Sequence, residues 1–161
     1  MFGLQIENGH FYFIKDDFYE LCQDDTLPTN KGEGHGRPCF FAFVKDGYCW
    51  MIPITSRLDK FKALAVKKQK RYGKCDTILF GEVLGHEKAF LVQNMFPALE
   101  QFIESEYVDK LSNIPVRIDK PKEEQIIKTA MRVLSKQEHG VKLIFTDVER
   151  IKRVIVQRES R

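Results

Sequence analysis

Two short stretches of this chain hold side chains suited to handling a phosphate: Lys31, His35 and Arg37 in the first, Thr55, Ser56 and Arg57 in the second. Guanidinium groups grip phosphate oxygens through paired donors. Hydroxyls and the amides of Gly34 and Gly36 add hydrogen bonds, and glycine lets a phosphate approach the backbone. The imidazole of His35 exchanges a proton near neutral pH. Cleaving RNA by attack of its own 2′-hydroxyl needs a base, an acid for the departing 5′-oxygen and cations around the phosphorane, but no metal. The six residues contain a group for each role. Each also has a plainer reading: residues 31–37 as a solvated polar loop, Thr55 and Ser56 as an N-cap pair, Arg57 as a surface cation.

A hairpin must bring the two stretches together. The apolar runs 38–45 and 48–54 flank Asp46-Gly47, the strongest short-range signal for a two-residue turn. If that register persists, Lys45 faces Tyr48, Pro38 faces Thr55 and Arg37 faces Ser56, with Cβ atoms of facing pairs about 5 Å apart. Pro53 is a candidate edge or bulge position, since it lacks a ladder donor. The preceding segment, 23–36, is polar, glycine-containing and long for a connection, as functional loops often are.

The remaining elements read as follows. Phe2, Leu4 and Ile6 alternate before Asn8-Gly9, with Phe11-Tyr12-Phe13-Ile14 after it, which predicts an opening hairpin. Asp16 or Asp17 caps a short helix carrying Phe18, Leu21 and Cys22. Residues 58–72 form a short basic helix or arm. Residues 76–83 and 88–93 pair around Gly85-His86-Glu87. The apolar spacing of 98–108 fits helix or strand equally. Residues 122–136, after Pro121, make a helix with Ile126, Ile127, Ala130, Met131 and Leu134 on one stripe. Residues 141–145 suggest a strand, and Thr146 to Glu149 has capping-box spacing for a helix through Ile151, Val154 and Ile155. The expectation is an α+β fold: one domain over residues 1–161, a strongly twisted, mainly antiparallel sheet or open barrel with flanking helices.

Composition sets outer bounds. With 161 residues, 43% hydrophobic side chains and 13 Phe, the chain can bury a sizeable core. A net charge of +3 does not by itself indicate nucleic-acid binding. Its distribution is more telling: Arg57, Lys60, Lys62, Lys67, Lys68, Lys70, Arg71 and Lys74 follow Thr-Ser directly, with Asp59 the one acid among them and Phe61 and Tyr72 interleaved. Such a stripe tracks a phosphate backbone and stacks bases, or forms a solvated helix face. The later cations Arg150, Lys152, Arg153 and Arg158 read as surface. Cys22, Cys39, Cys49 and Cys75 lack CxxC spacing and the four histidines are scattered, so buried thiols are expected, with no metal site and no cofactor. The chain starts with neither a basic nor an apolar leader-like stretch, and no apolar run reaches membrane-spanning length, making the cytoplasm the expected compartment.

Three motifs carry a family resemblance: Arg37-Pro38 entering the central hairpin, Pro53-Ile54-Thr55-Ser56 leaving it, and Gln93-Asn94-Met95-Phe96-Pro97 after the next hairpin. The chain resembles the endoribonuclease toxins of type III toxin–antitoxin systems, the ToxN/AbiQ group, in its CptN-like branch. That resemblance implies a twisted antiparallel sheet with helices and metal-independent cleavage of adenine-rich RNA to a 2′,3′-cyclic phosphate. It implies inhibition by a repeat-encoded pseudoknot RNA antitoxin, which the toxin cuts from a precursor and with which it forms closed protein–RNA assemblies. It also implies cellular or phage RNA substrates and a role in abortive infection or plasmid maintenance. Thr55 and Ser56 match the family's Thr-Ser pair. Arg37 stands where many members have Lys, and Arg57 matches the following cation approximately. Asn94 falls in the segment expected to support the site or contact RNA. The competing readings are a non-catalytic RNA-binding module and a translation-associated or DNA-binding accessory protein.

Overall fold

Two hairpin signals become the spine of a sheet. In the computed structural model, which describes residues 5–27 and 36–159, Asp46 and Gly47 join β2 (Pro38–Lys45) to β3 (Tyr48–Thr55), and Leu84 and Gly85 join β4 (Leu79–Val83) to β5 (His86–Phe90). All four turn residues have positive φ (56°, 84°, 52° and 80°). That is the geometry whose twist matches the flanking strands. The second turn sits one residue earlier than Gly85-His86-Glu87 suggested, so His86 is the first residue of β5 and not a loop tip.

The other strands are β1 (Phe11–Ile14), β6 (Phe96–Ala98) and β7 (Ile103–Glu106); the helices are α1 (Asp16–Cys22), α2 (Leu58–Tyr72), α3 (Lys120–Glu138) and α4 (Val148–Glu159). All strand pairs are antiparallel. The seven-stranded order is β4-β5-β3-β2-β1-β7, with β6 also on β3, and the sheet does not close into a barrel. Along its outer edge β3 changes partner: Cys49 to Met51 pair with β6, whereas Ile54 and Thr55 pair with β5. Pro53, which has no amide proton to offer, lies in the gap, and its carbonyl accepts from Leu91 N at 2.9 Å.

The sheet is buried on both faces. One core joins Phe40, Trp50, Ile52 and Phe90 to Ile126, Ala130, Val133 and Leu134 of α3. The other joins Phe41, Met51 and Phe96 to Phe18 of α1 and Ile151 and Ile155 of α4. A third, smaller cluster seats Phe61 of α2 on Ile78, Ala89 and Leu91. Two-sided burial explains the unbroken apolar runs of β2 and β3.

Several local expectations change. Residues 5–7 form no strand, and residues 1–4 lie outside the described residues; β1 pairs instead with β2 and β7. The Asn8-Gly9 turn docks on β2, with Gly9 N donating to Phe41 O at 2.8 Å. A Cβ on Gly9 would fall 2.2 Å from Glu123 Oε1. Lys15 is the N-cap of α1, and Asp16 and Asp17 lie in its first turn, where negative charge suits the helix dipole. On α3, Met131 is exposed and Val133 takes the core position. Residues 141–145 form no strand, because Gln137 Oε1 accepts the Leu143 and Ile144 amides and Gln93 O takes that of Phe145. Thr146 turns its hydroxyl to Met95 O, leaving Asp147 to cap α4 by accepting Arg150 N. The ambiguous 98–108 segment resolves into the end of β6, a 3-10 turn over Glu100–Phe102 and β7.

Cations expected at the surface are partly structural. Arg150 donates to Cys22 O at the end of α1. Lys152 lies over the rings of Tyr48 and Trp50, 5.2 and 5.6 Å from their centroids. Cys22, Cys39 and Cys49 are buried free thiols and Cys75 is half-buried. Burial pushes Cys22 and Cys39 up to about 12 and Cys49 to about 11. Among the described residues, no helix is long and apolar enough to cross a membrane.

Candidate active site

The register of the central hairpin decides which side chains meet at its open end. Lys45, Val44 and Phe43 face Tyr48, Cys49 and Trp50, as the turn dictates, but Phe41 faces Met51 and Cys39 faces Pro53. Ala42 is therefore an extra residue in β2, a bulge that shifts every pair beyond it by one. Continued outward, the shifted register sets Arg37 opposite Thr55 and Pro38 opposite Ile54. The expected pairing of Arg37 with Ser56 is thereby corrected.

Ser56 gains a different neighbour. Ile54 faces Phe90 and Thr55 faces Ala89 across β3 and β5, so one residue further Ser56 lies beside Lys88. Residues two apart share a face of a strand, which places His86 on the same side as Lys88 and Phe90. Tyr107, just past β7, approaches from across the sheet, its ring packed edge-on against Phe11 and Phe13 at 6.5 and 5.6 Å. These residues, with Arg37, Thr55, Ser56 and Arg57, line one cleft of about 430 Å³.

The cleft's electrostatics are one-sided. Among the described lining residues Arg37, Arg57 and Lys88 supply three cations, and none is a carboxylate. Among the described residues, no carboxylate lies within ion-pair distance of Lys88 or Arg57 and no hydrogen bond engages Ser56 Oγ. Thr55 is occupied structurally, since its Oγ1 accepts from Arg57 N at 3.2 Å and bends the chain from β3 into α2. The N-cap of α2 is Arg57, without a side-chain cap bond, so the reading of Thr55 and Ser56 as a helix cap is not met. The Arg37 charge is also felt by Tyr19. Burial raises that phenol well above its ordinary value, Cys39 adds to the rise, and the Arg37 charge opposes it. Beyond Tyr107 an adjoining cleft of about 710 Å³ is acidic, lined by Glu104, Glu106 and Asp109.

Of the six residues singled out from the sequence, Arg37, Thr55, Ser56 and Arg57 meet in the cleft, while Lys31 and His35 lie outside the described residues. His86, Lys88 and Tyr107 were missed. Their signal was the second hairpin, which proved to lie beside the first.

The basic stripe is a regular helix with two kinds of lysine. Lys60, Lys67, Lys70 and Arg71 are exposed on α2, and Lys62 is paired with Glu87 at 2.8 Å. Lys68 points inward, donating to Thr77 Oγ1 at 2.9 Å and Gln93 Oε1 at 2.5 Å, with its ammonium 5.2 Å from the Phe145 ring centre. Burial holds its pKa below the ordinary lysine value. Lys74 lies just past the helix, 4.0 Å from Asp76. Asn94 is not in the cleft; its Nδ2 donates to Thr26 O at 2.9 Å and ties the loop after α1 to the sheet.

No protein-family model matches the sequence. Among solved structures, this one superimposes on that of AbiQ, a lactococcal anti-phage endoribonuclease belonging to the type III toxin–antitoxin system. The TM-score is 0.69 at 16% sequence identity, over 96% of this chain and 100% of the other. The chain has the fold of AbiQ. At that identity the likeness to AbiQ is one of architecture, spanning nearly all of both chains, and it agrees with the fold that the family resemblance implied. What the cleft does rests on the residues above.

Proposed function

We propose that this protein is the toxin of a type III toxin–antitoxin system, a metal-independent endoribonuclease acting on cytoplasmic RNA. The observation that carries the reading is the cleft at the open end of the β2–β3 hairpin, where three cations line the walls beside adjacent hydroxyls with no carboxylate among the described lining residues. The AbiQ-like fold supports it.

In this reading Arg37, Arg57 and Lys88 hold the scissile phosphate, and Ser56 Oγ orients the 2′-hydroxyl or a phosphate oxygen. The 2′-oxygen attacks phosphorus, the bond to the 5′-oxygen breaks, and a 2′,3′-cyclic phosphate and a 5′-hydroxyl result. One proton leaves the 2′-oxygen and one arrives at the 5′-oxygen. His86 is suited to take the first and the Lys88 ammonium to give the second, both from the same face of β5. Arg37 and Arg57 stabilise the dianionic phosphorane. Lys31 and His35 remain candidates from the sequence for the same proton transfers. The exposed cations of α2 track the RNA backbone away from the cleft. The regulatory partner is a repeat-derived pseudoknot RNA, which the toxin processes and with which it assembles into a closed complex that masks the cleft.

The test is expression and cleavage with one substitution. Wild-type protein should arrest growth unless the tandem-repeat RNA is co-expressed, and Ser56→Ala should be harmless and cleave RNA at least tenfold more slowly. Wild-type rates in Ser56→Ala would remove Ser56 from the chemistry. RNA that stays bound but intact with wild-type protein would instead support a non-catalytic binding module.

A further inference from the structure

A second cleft, of about 360 Å³, lies where α2 ends, between Tyr72, residues 74–77, Lys136 at the end of α3 and residues 141–145. Two of its aromatic rings are far more open than core residues: Tyr72 is 64% and Phe145 45% exposed. Its cations are crowded. Lys74 and Lys136 both line it, and the nearby Lys74 charge holds Lys136 below the ordinary lysine range. Lys68 and Lys142 line the same cleft, the Lys68 ammonium lying over the Phe145 ring, and Asp76 is the lone acid among its described lining residues. Asp76 is itself shared between Lys74 at 4.0 Å and Arg132 at 3.9 Å.

A cation in the last turn of a helix is favourable in its own right, which accounts for Lys136 on α3. It does not account for gathering Lys68, Lys74 and Lys142 around the same cleft, a concentration of positive charge that an anion would relieve. Exposed rings beside crowded ammonium groups are the combination that binds single-stranded nucleic acid, through stacking on the ring and contact with the phosphate. The location supplies continuity. α2 has 15 residues, about 22 Å at 1.5 Å per residue. Its first residue adjoins Arg57 in the first cleft, its last is Tyr72, and its exposed cations lie between.

We propose that this cleft is a second RNA-binding subsite, which stacks an unpaired base on Tyr72 or Phe145 and holds the neighbouring phosphate with Lys74, Lys136 and Lys142. The inference rests on the endoribonuclease reading, in that one RNA strand would engage both clefts along α2. A separation of about 22 Å corresponds to about six to seven nucleotides of stacked strand. A long RNA therefore reaches both clefts and a very short one reaches only the first.

The experiment compares wild-type protein with the triple variant Tyr72→Ala/Lys136→Gln/Lys142→Gln on a four-nucleotide and a twenty-nucleotide RNA sharing one cleavage site. On the long RNA the variant should bind at least tenfold more weakly, with the slope of log affinity against log salt shallower by about 0.7 for each phosphate left without its cation. On the short RNA it should cleave like wild type, which also shows that it is folded. Equal affinity and equal salt slope on the long RNA would overturn the second subsite while leaving the cleavage reading intact. Equal loss on both RNAs, with an unchanged circular dichroism spectrum, would overturn it too, by placing these residues at the first cleft. If wild-type protein cleaves neither RNA, the endoribonuclease reading fails, and binding of the long RNA still decides the subsite.

Discussion

Replacing Lys88 by Ala removes one of three cations from the candidate cleft without disturbing what holds β5 in place. Lys88 is half-buried and lies beside Ser56 by continuation of the β3–β5 register. Among the described residues it has no ion-pair partner, so the folded protein should lose little, within about 0.5 kcal/mol. The transition state is another matter. Interaction with a unit charge about 4 Å away is about 1 kcal/mol in bulk water and about 4 kcal/mol at an effective dielectric near 20. A partly desolvated ammonium facing a phosphorane falls toward the upper figure, about 3 kcal/mol, or a rate loss of about a hundredfold. Lys88→Arg should recover part of it, since the charge is kept and the geometry is not. Single-turnover cleavage of a defined RNA, beside thermal melting, measures both quantities. A Lys88→Ala rate within threefold of wild type, at unchanged stability, would refute the placement of Lys88 at the reacting phosphate.

Further outcomes follow from the same geometry. Lys68→Met should destabilise the fold by about 1.5–3 kcal/mol through loss of two charged hydrogen bonds, read by urea denaturation. Lys67→Gln/Lys70→Gln should do the reverse, leaving stability alone and making the salt slope shallower by about 0.7 per phosphate left without its cation. Gly9→Ala should destabilise by more than about 1 kcal/mol, because φ is +87° and the new Cβ meets Glu123. The buried Cys39 thiol, pushed up to about 12 from 9.0, keeps its proton when folded and loses it above pH 9 when unfolded. Its contribution is therefore whole below pH 9 and falls as pH rises toward 12, by about 1.4 kcal/mol per pH unit. Denaturant midpoints across that range, compared with Cys39→Ala, check it, and iodoacetamide at pH 8 should modify Cys75 well before the other three thiols.

What could be read from the sequence depended on how local the cause was. Asp46-Gly47 fixes a turn by backbone chirality alone, so the central hairpin and the meeting of Arg37 with Thr55 and Ser56 were recoverable. The Ala42 bulge was not. Residues 39–44 are apolar without a break, so either phase of the strand buries apolar side chains and the sequence is silent on the extra residue. Lys88, His86 and Tyr107 reach the cleft through the β3–β5 and β1–β7 pairings, which join strands far apart in the chain and carry no local mark. The basic stripe shows the opposite failure. Phe61, Leu64 and Lys68 share helical spacing, so Lys68 could have been assigned to the buried side of α2, but the charge run hid it. Residues 141–145 read as a strand because their composition allows one, but the Gln137 side chain takes the Leu143 and Ile144 amides and Gln93 O that of Phe145, leaving none of the three for a neighbouring strand.

The central claim is metal-independent cleavage by attack of the 2′-hydroxyl. The most direct measurement incubates purified protein, in excess chelator, with an RNA and with the same RNA carrying one 2′-deoxynucleotide on the 5′ side of the cut. The proposed mechanism requires that the first is cleaved to a 2′,3′-cyclic phosphate and a 5′-hydroxyl and that the second is not cut at that site. Cleavage of the deoxy-substituted strand there, 5′-phosphate ends, or activity abolished by the chelator would contradict it.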